Sequence, residues 1–131
     1  MAWNTYDLDR RAQRLVLEAR KRDQDSLNQG HKMRTTVAYG LERFWGEQLR
    51  LSGRDQSKAD YWKATWTELV DIMALAGVTV PDRRVDPRHE EQVRAMAGDL
   101  WGMNLADQRV TLAVLTQLCD AIVWWTQRYK L

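Results

Sequence analysis

The sequence is short of nearly everything that interrupts a helix. Its 131 residues hold two prolines and seven glycines, few enough to leave long stretches free to coil. One cysteine, Cys119, excludes an internal disulfide framework and agrees with a reducing compartment. No apolar run approaches the roughly 20 residues that span a bilayer. The opening Met-Ala-Trp-Asn-Thr-Tyr-Asp lacks the basic and apolar regions of a secretory signal. These absences predict a soluble, cytoplasmic protein with no membrane partner.

Chemistry is scarce too. His31, His89 and Cys119 stand far apart without ligand spacing, so no metal site is expected. No nucleophile elbow, phosphate-cradling glycine loop or dinucleotide fingerprint occurs, which argues for no cofactor. Glu90-Glu91 opens a helix, where two carboxylates complement the helix dipole. Together these point away from an enzyme. His89 is expected on an apolar stripe, partly buried, and Cys119 as a small core hydrophobe.

What is present is helical periodicity, tryptophan and arginine. The length suits a single helical domain over residues 1–131. Seven tryptophans can dominate a core or an interface. The spacing predicts an all-α compact bundle of about five helices. The first runs from about Asp7 to Asp25 with Leu8, Ala12, Leu15, Val16 and Ala19 inward, broken at Asn28-Gln29-Gly30. The second runs from about His31 to Ser52, stopped by Gly53. Ser57, with Asp60, caps a third that carries Trp62, Trp66, Leu69, Ile72 and Met73 to Gly77. Val78–Asp86 reads as a loop, because a lone strand has no partner. A fourth helix starts at Asp86-Pro87, and a fifth, capped by Asn104 with Asp107, runs to about Arg128. The fifth is apolar around more than half its circumference, so a central C-terminal helix is expected.

Net charge is only +2, but residues 1–34 carry eight basic against five acidic side chains, and Arg outnumbers Lys fifteen to five. Two basic stripes result. Arg10, Arg14 and Lys21 project from the first helix within about 40° of one another, opposite its apolar face. Lys32, Tyr39, Arg43 and Arg50 share a face of the second helix, flanked by Thr36. A row of cations with a hydroxyl and an aromatic ring suits a phosphate backbone and a stacked base; a solvated face that keeps the chain soluble is the alternative. Trp124 falls on the narrow polar face of the last helix with Arg109, Thr116, Asp120 and Gln127. It is read as a partner contact, or as covered by a further layer of the bundle.

Three segments give the chain a family likeness. They are the basic helix Arg10-Arg11-Ala12-Gln13-Arg14, the helix start His31-Lys32-Met33-Arg34-Thr35-Thr36, and the closing Ala121-Ile122-Val123-Trp124-Trp125-Thr126-Gln127-Arg128-Tyr129. With the all-α pattern at this length, they resemble the small helical subunit of CRISPR effector complexes, particularly type III. The resemblance implies a non-catalytic subunit of a ribonucleoprotein. Several copies would stack beside other effector subunits and help hold guide RNA and target nucleic acid through basic side chains. Lys32 and Arg34 match the family's basic helix start. The competing expectation is a protein–protein adaptor or homo-oligomer, anchored by Trp124 and Trp3, without nucleic acid.

Overall fold

A computed structural model describes residues 5–130. α1 (Leu8–Arg22) buries Ala12, Leu15, Val16 and Ala19, the inward stripe that the spacing predicts. It stops short of Asp25 because a 3-10 turn, Gln24–Asn28, takes over. The Asp23 carboxylate opens that turn by accepting from the Asp25 N–H at 3.0 Å.

The expected second helix is two helices. α2 (Gln29–Thr36) and α3 (Leu41–Leu51) are separated by a 3-10 turn, Val37–Tyr39, and by Gly40. Gly40 has φ +96° and ψ 174°, a backbone that lies outside the helical region and that a side chain would strain. Gly30, expected as the break, lies inside α2 instead. A Cβ there would meet Thr126 Oγ1 at 3.1 Å and the Ile122 Cγ2 methyl at 3.3 Å. Its missing side chain lets α2 approach α6.

α4 (Gln56–Leu75) is capped by Asp55, whose carboxylate accepts from the Lys58 N–H at 3.3 Å; Ser57, the expected cap, is already helical. At its other end the Gly77 N–H reaches the Ala74 carbonyl at 3.0 Å and the Val78 N–H the Met73 carbonyl at 2.9 Å. Gly77 at φ +79° makes this pair of hydrogen bonds possible. Residues 78–86 form a loop, as expected, and no strand occurs among the described residues. α5 (Glu90–Trp101) starts later than Pro87. The Asp86 carboxylate accepts from the Arg88 N–H at 2.9 Å, turning the chain first. His89 is therefore an exposed residue before the helix, not a buried one on its stripe. α6 (Leu105–Tyr129) opens as expected, with Asn104 Oδ1 accepting from the Asp107 N–H at 2.8 Å.

The largest fully buried side chains, Trp62, Trp66 and Tyr61, come from α4. Trp62 and Trp66 pack against Phe44 of α3, with ring centroids 4.8 and 6.4 Å apart. Both indole N–H groups are satisfied, Trp62 by Gln29 Oε1 at 2.9 Å and Trp66 by the Pro81 carbonyl at 3.2 Å. The second bond ties the 78–86 loop to the core. Truncating either indole should cost about 3 kcal/mol or more. α6 lies along α1 and α2 and also touches α4, burying Leu115, Leu118, Cys119 and Ile122. No described helix is long and apolar enough to cross a membrane.

Candidate nucleic-acid interface

The two basic stripes do not lie side by side. α1 packs on α4 and α6, α2 packs on α6, and α3 packs on α4 and α5. Each row has its own surroundings, and most of its charge is answered inside the protein.

On α1, Arg14 reaches the Glu68 carboxylate of α4, which Arg11 also pairs. Glu68 is 5% exposed, so two guanidinium groups on one carboxylate are what make its burial tolerable. Arg14 also lies 3.8 Å from Glu18, and Arg10 lies 3.8 Å from Asp7. Lys21 is exposed and pairs with no carboxylate among the described residues. Arg14 thus serves the joint between α1 and α4, although the sequence places it opposite the core.

On α2 and α3, the carboxylate of Glu47 collects the cations. Lys32 Nζ lies 2.7 Å from Glu47 Oε2. Arg50 donates to the same carboxylate twice, from Nε to Oε1 at 2.5 Å and from its second nitrogen to Oε2 at 2.9 Å. The Arg50 hydrogen bonds hold the Glu47 carboxyl below its usual range against the opposing push of burial, and Lys32 adds to them. Arg34 donates to Asp120 of α6 at 2.6 Å. The Thr36 hydroxyl, expected to flank the row, donates to the Lys32 carbonyl at 2.6 Å.

Tyr39 and Arg43 are different. The Arg43 guanidinium stands 5.6 Å from the Tyr39 ring centroid, and no described carboxylate pairs with it. Tyr39 is 69% exposed, held at the corner where Gly40 redirects the chain. Across a groove of about 300 Å³ stands Trp101, at the end of α5 and 70% exposed. Gly40, Leu41, Glu42, Leu100 and Leu112 line the groove between them. No described ring packs on Trp101. The exposed Trp101 ring and the Tyr39 ring, with the Arg43 guanidinium on it and paired to no described carboxylate, therefore share one concavity.

Sequence reasoning does not single out Trp101. Its signal is its place one residue past the stripe Val93, Met96, Ala97 and Leu100, where a large ring has no core to enter. Glu47 is legible as an acid among the basic positions of α3, at i−3 from Arg50. Trp124 is 54% exposed, on the face that periodicity gives it, with the Arg128 guanidinium 5.3 Å from its ring centroid. Trp125 is partly buried and stacks on Tyr129 at 5.9 Å. Trp3 lies outside the described residues.

No three His, Cys, Asp or Glu side chains converge as metal ligands among the described residues. Cys119 is enclosed, and burial pushes its thiol up to about 12. No protein-family model, curated protein or solved structure matches this chain.

Proposed function

We propose that this chain is a non-catalytic, cytoplasmic binding subunit of a ribonucleoprotein, comparable to the small helical subunits of CRISPR effectors. In this reading its working face is the groove between Tyr39 and Trp101. The observation that carries it is the pair of exposed rings across one groove, with Arg43 beside them and paired to no described carboxylate. Aromatic faces stack on unpaired bases with little regard to sequence, each worth about 1–3 kcal/mol, while arginine holds the phosphate. The resemblance of the His31–Thr36 segment of α2 and of the closing helix supports the assembly context. The weak net charge agrees with a subunit that adds one contact among several tethered ones.

Fluorescence anisotropy with a labelled oligouridylate tests it. Tyr39→Ala with Trp101→Ala should weaken binding by on the order of tenfold or more, and a fully paired duplex should bind less well than the single strand. Unchanged affinity in the double variant, with the fold intact, would refute the groove as the binding face.

A second reading has its own observation. Trp124 and Arg128 form a preformed cation–aromatic pair on the exposed face of α6, which suits a protein partner or another copy of this chain. Sedimentation of the wild type against Trp124→Ala separates this from nucleic-acid binding. Loss of an oligomer without loss of oligouridylate affinity would assign α6 to protein contacts.

A further inference from the structure

Arg43, Glu47 and Arg50 follow one another along one face of α3 at helical spacing, and Lys32 leans onto that row from α2. One planar oxyanion, the Glu47 carboxylate, receives a bidentate guanidinium and an ammonium. That donor set, a fork plus a point charge, is also the one that recognises a phosphate. The exposures are unequal. Glu47 is mostly covered, at 13%, whereas the Lys32 and Arg50 side chains are each about half open to water. The cations can therefore be approached from solvent while the carboxylate holds them from beneath. As a pure staple between α2 and α3 the cluster would contribute little, because both cations are so exposed.

We infer that Lys32 and Arg50 form a phosphate subsite on the α3 face, and that Glu47 occupies it in the free protein as an internal stand-in for phosphate. This rests on the reading of the Tyr39–Trp101 groove as a nucleic-acid surface. A strand seated on Tyr39 and Arg43 runs its next phosphates along α3, and Lys32 and Arg50 turn from Glu47 to them. Glu47 lowers the charge of this row from three cations to a net of two, so stray polyanions are held less firmly. A strand already stacked in the groove presents its phosphate at high local concentration and displaces the carboxylate.

The test is anisotropy of the same labelled oligouridylate across a salt series, with wild type, Glu47→Gln, and Glu47→Gln combined with Lys32→Gln and Arg50→Gln. The Glu47→Gln change removes the competing charge but keeps the shape. Affinity should rise on the order of five- to tenfold, the effect of removing a unit charge close to the phosphate in a largely aqueous setting. The slope of log affinity against log salt should match that of the wild type, because the same phosphate is held in both. The triple variant should lose the gain in affinity, and its slope should be shallower by about 0.7. Circular dichroism melts of each variant establish that it is folded. Should Glu47→Gln be too unstable, Lys32→Gln with Arg50→Gln in the wild-type background replaces it, and a shallower salt slope is expected. Wild type that binds through the groove while Glu47→Gln shows equal or weaker affinity would overturn the stand-in and leave Glu47 as a staple. Oligouridylate binding that ignores Tyr39 and Trp101 would overturn the groove reading, and the inference with it.

Discussion

Gly30→Ala and Gly98→Ala place the same methyl group on two helices of this protein, and the two should change its stability in opposite directions. Both glycines sit inside helices with ordinary helical φ, so alanine should gain about 1 kcal/mol of helix propensity at each. Around Gly98 nothing lies within 4 Å of the new Cβ, and that gain should appear as about 0.5–1 kcal/mol of added stability. At Gly30 the Cβ lands 3.1 Å from Thr126 Oγ1 and 3.3 Å from Ile122 Cγ2. Neither neighbour yields readily. The Thr126 hydroxyl is committed to the Ile122 carbonyl at 2.7 Å, and both side chains are buried. Overpacking of this kind costs about 1–3 kcal/mol, so the net change at Gly30 should be a loss of about 1 kcal/mol. The two variants should thus differ by about 2 kcal/mol. Urea denaturation followed by ellipticity at the helical minimum measures this as a shift in midpoint at constant slope. Equal shifts would mean that α2 does not press on α6 as the packing requires.

The remaining expectations are quicker to state. Glu68→Ala should cost about 2 kcal/mol in the same urea assay, less than a fully buried pair because Arg14 is half exposed; a change under about 0.5 kcal/mol would contradict the clamp. Trp124→Ala should stay within about 1 kcal/mol of wild type, while Trp125→Ala should cost about 2 kcal/mol, and reversed costs would mean that the phase of α6 is wrong. Burial raises the Cys119 thiol to about 12 and raises the Tyr61 phenol as well. The unfolded chain therefore loses these protons first, and stability should be fully present below about pH 8.5 and fall as pH rises toward about 12. Cys119→Ala should flatten that fall, which thermal melts between about pH 8 and 11 would show.

Local signals in the sequence are legible because they are local. The stripe of α1, the caps at Asn104 and Gly77, the loop after Val78 and the outward phase of Trp124 each depend on residues within a turn or two. The two central glycines exchange roles. Gly30 reads as the break and is a contact, whereas Gly40 reads as part of a helix and breaks it. Composition gives glycine both uses; the nearness of α6 explains Gly30, and the positive φ explains Gly40. The α1 stripe lies on one helix as the spacing predicts, whereas the second is divided between α2, the 3-10 turn and α3; Arg14 and Arg34 are met by Glu68 and Asp120, far away in sequence. No periodicity within one helix reports a carboxylate delivered by another. Trp101 and Tyr39 come together for the same reason, through the meeting of α3, α5 and α6.

The contact between α1 and α6 also sets a clock for folding. These helices pack closely together, and Gln13 Nε2 donates to the Tyr129 hydroxyl at 3.0 Å, yet almost the whole described chain separates them. During synthesis at ordinary rates, roughly 4–16 seconds pass between completion of α1 and the start of α6. During that interval the apolar side of α1 has only the 3-10 turn that follows it and, once made, α4 to cover it, and the close face that Gly30 offers on α2 lacks α6. The protein must therefore wait for its last helix before its first is secure, and a chain cut short before α6 should be bound by holdase chaperones rather than fold.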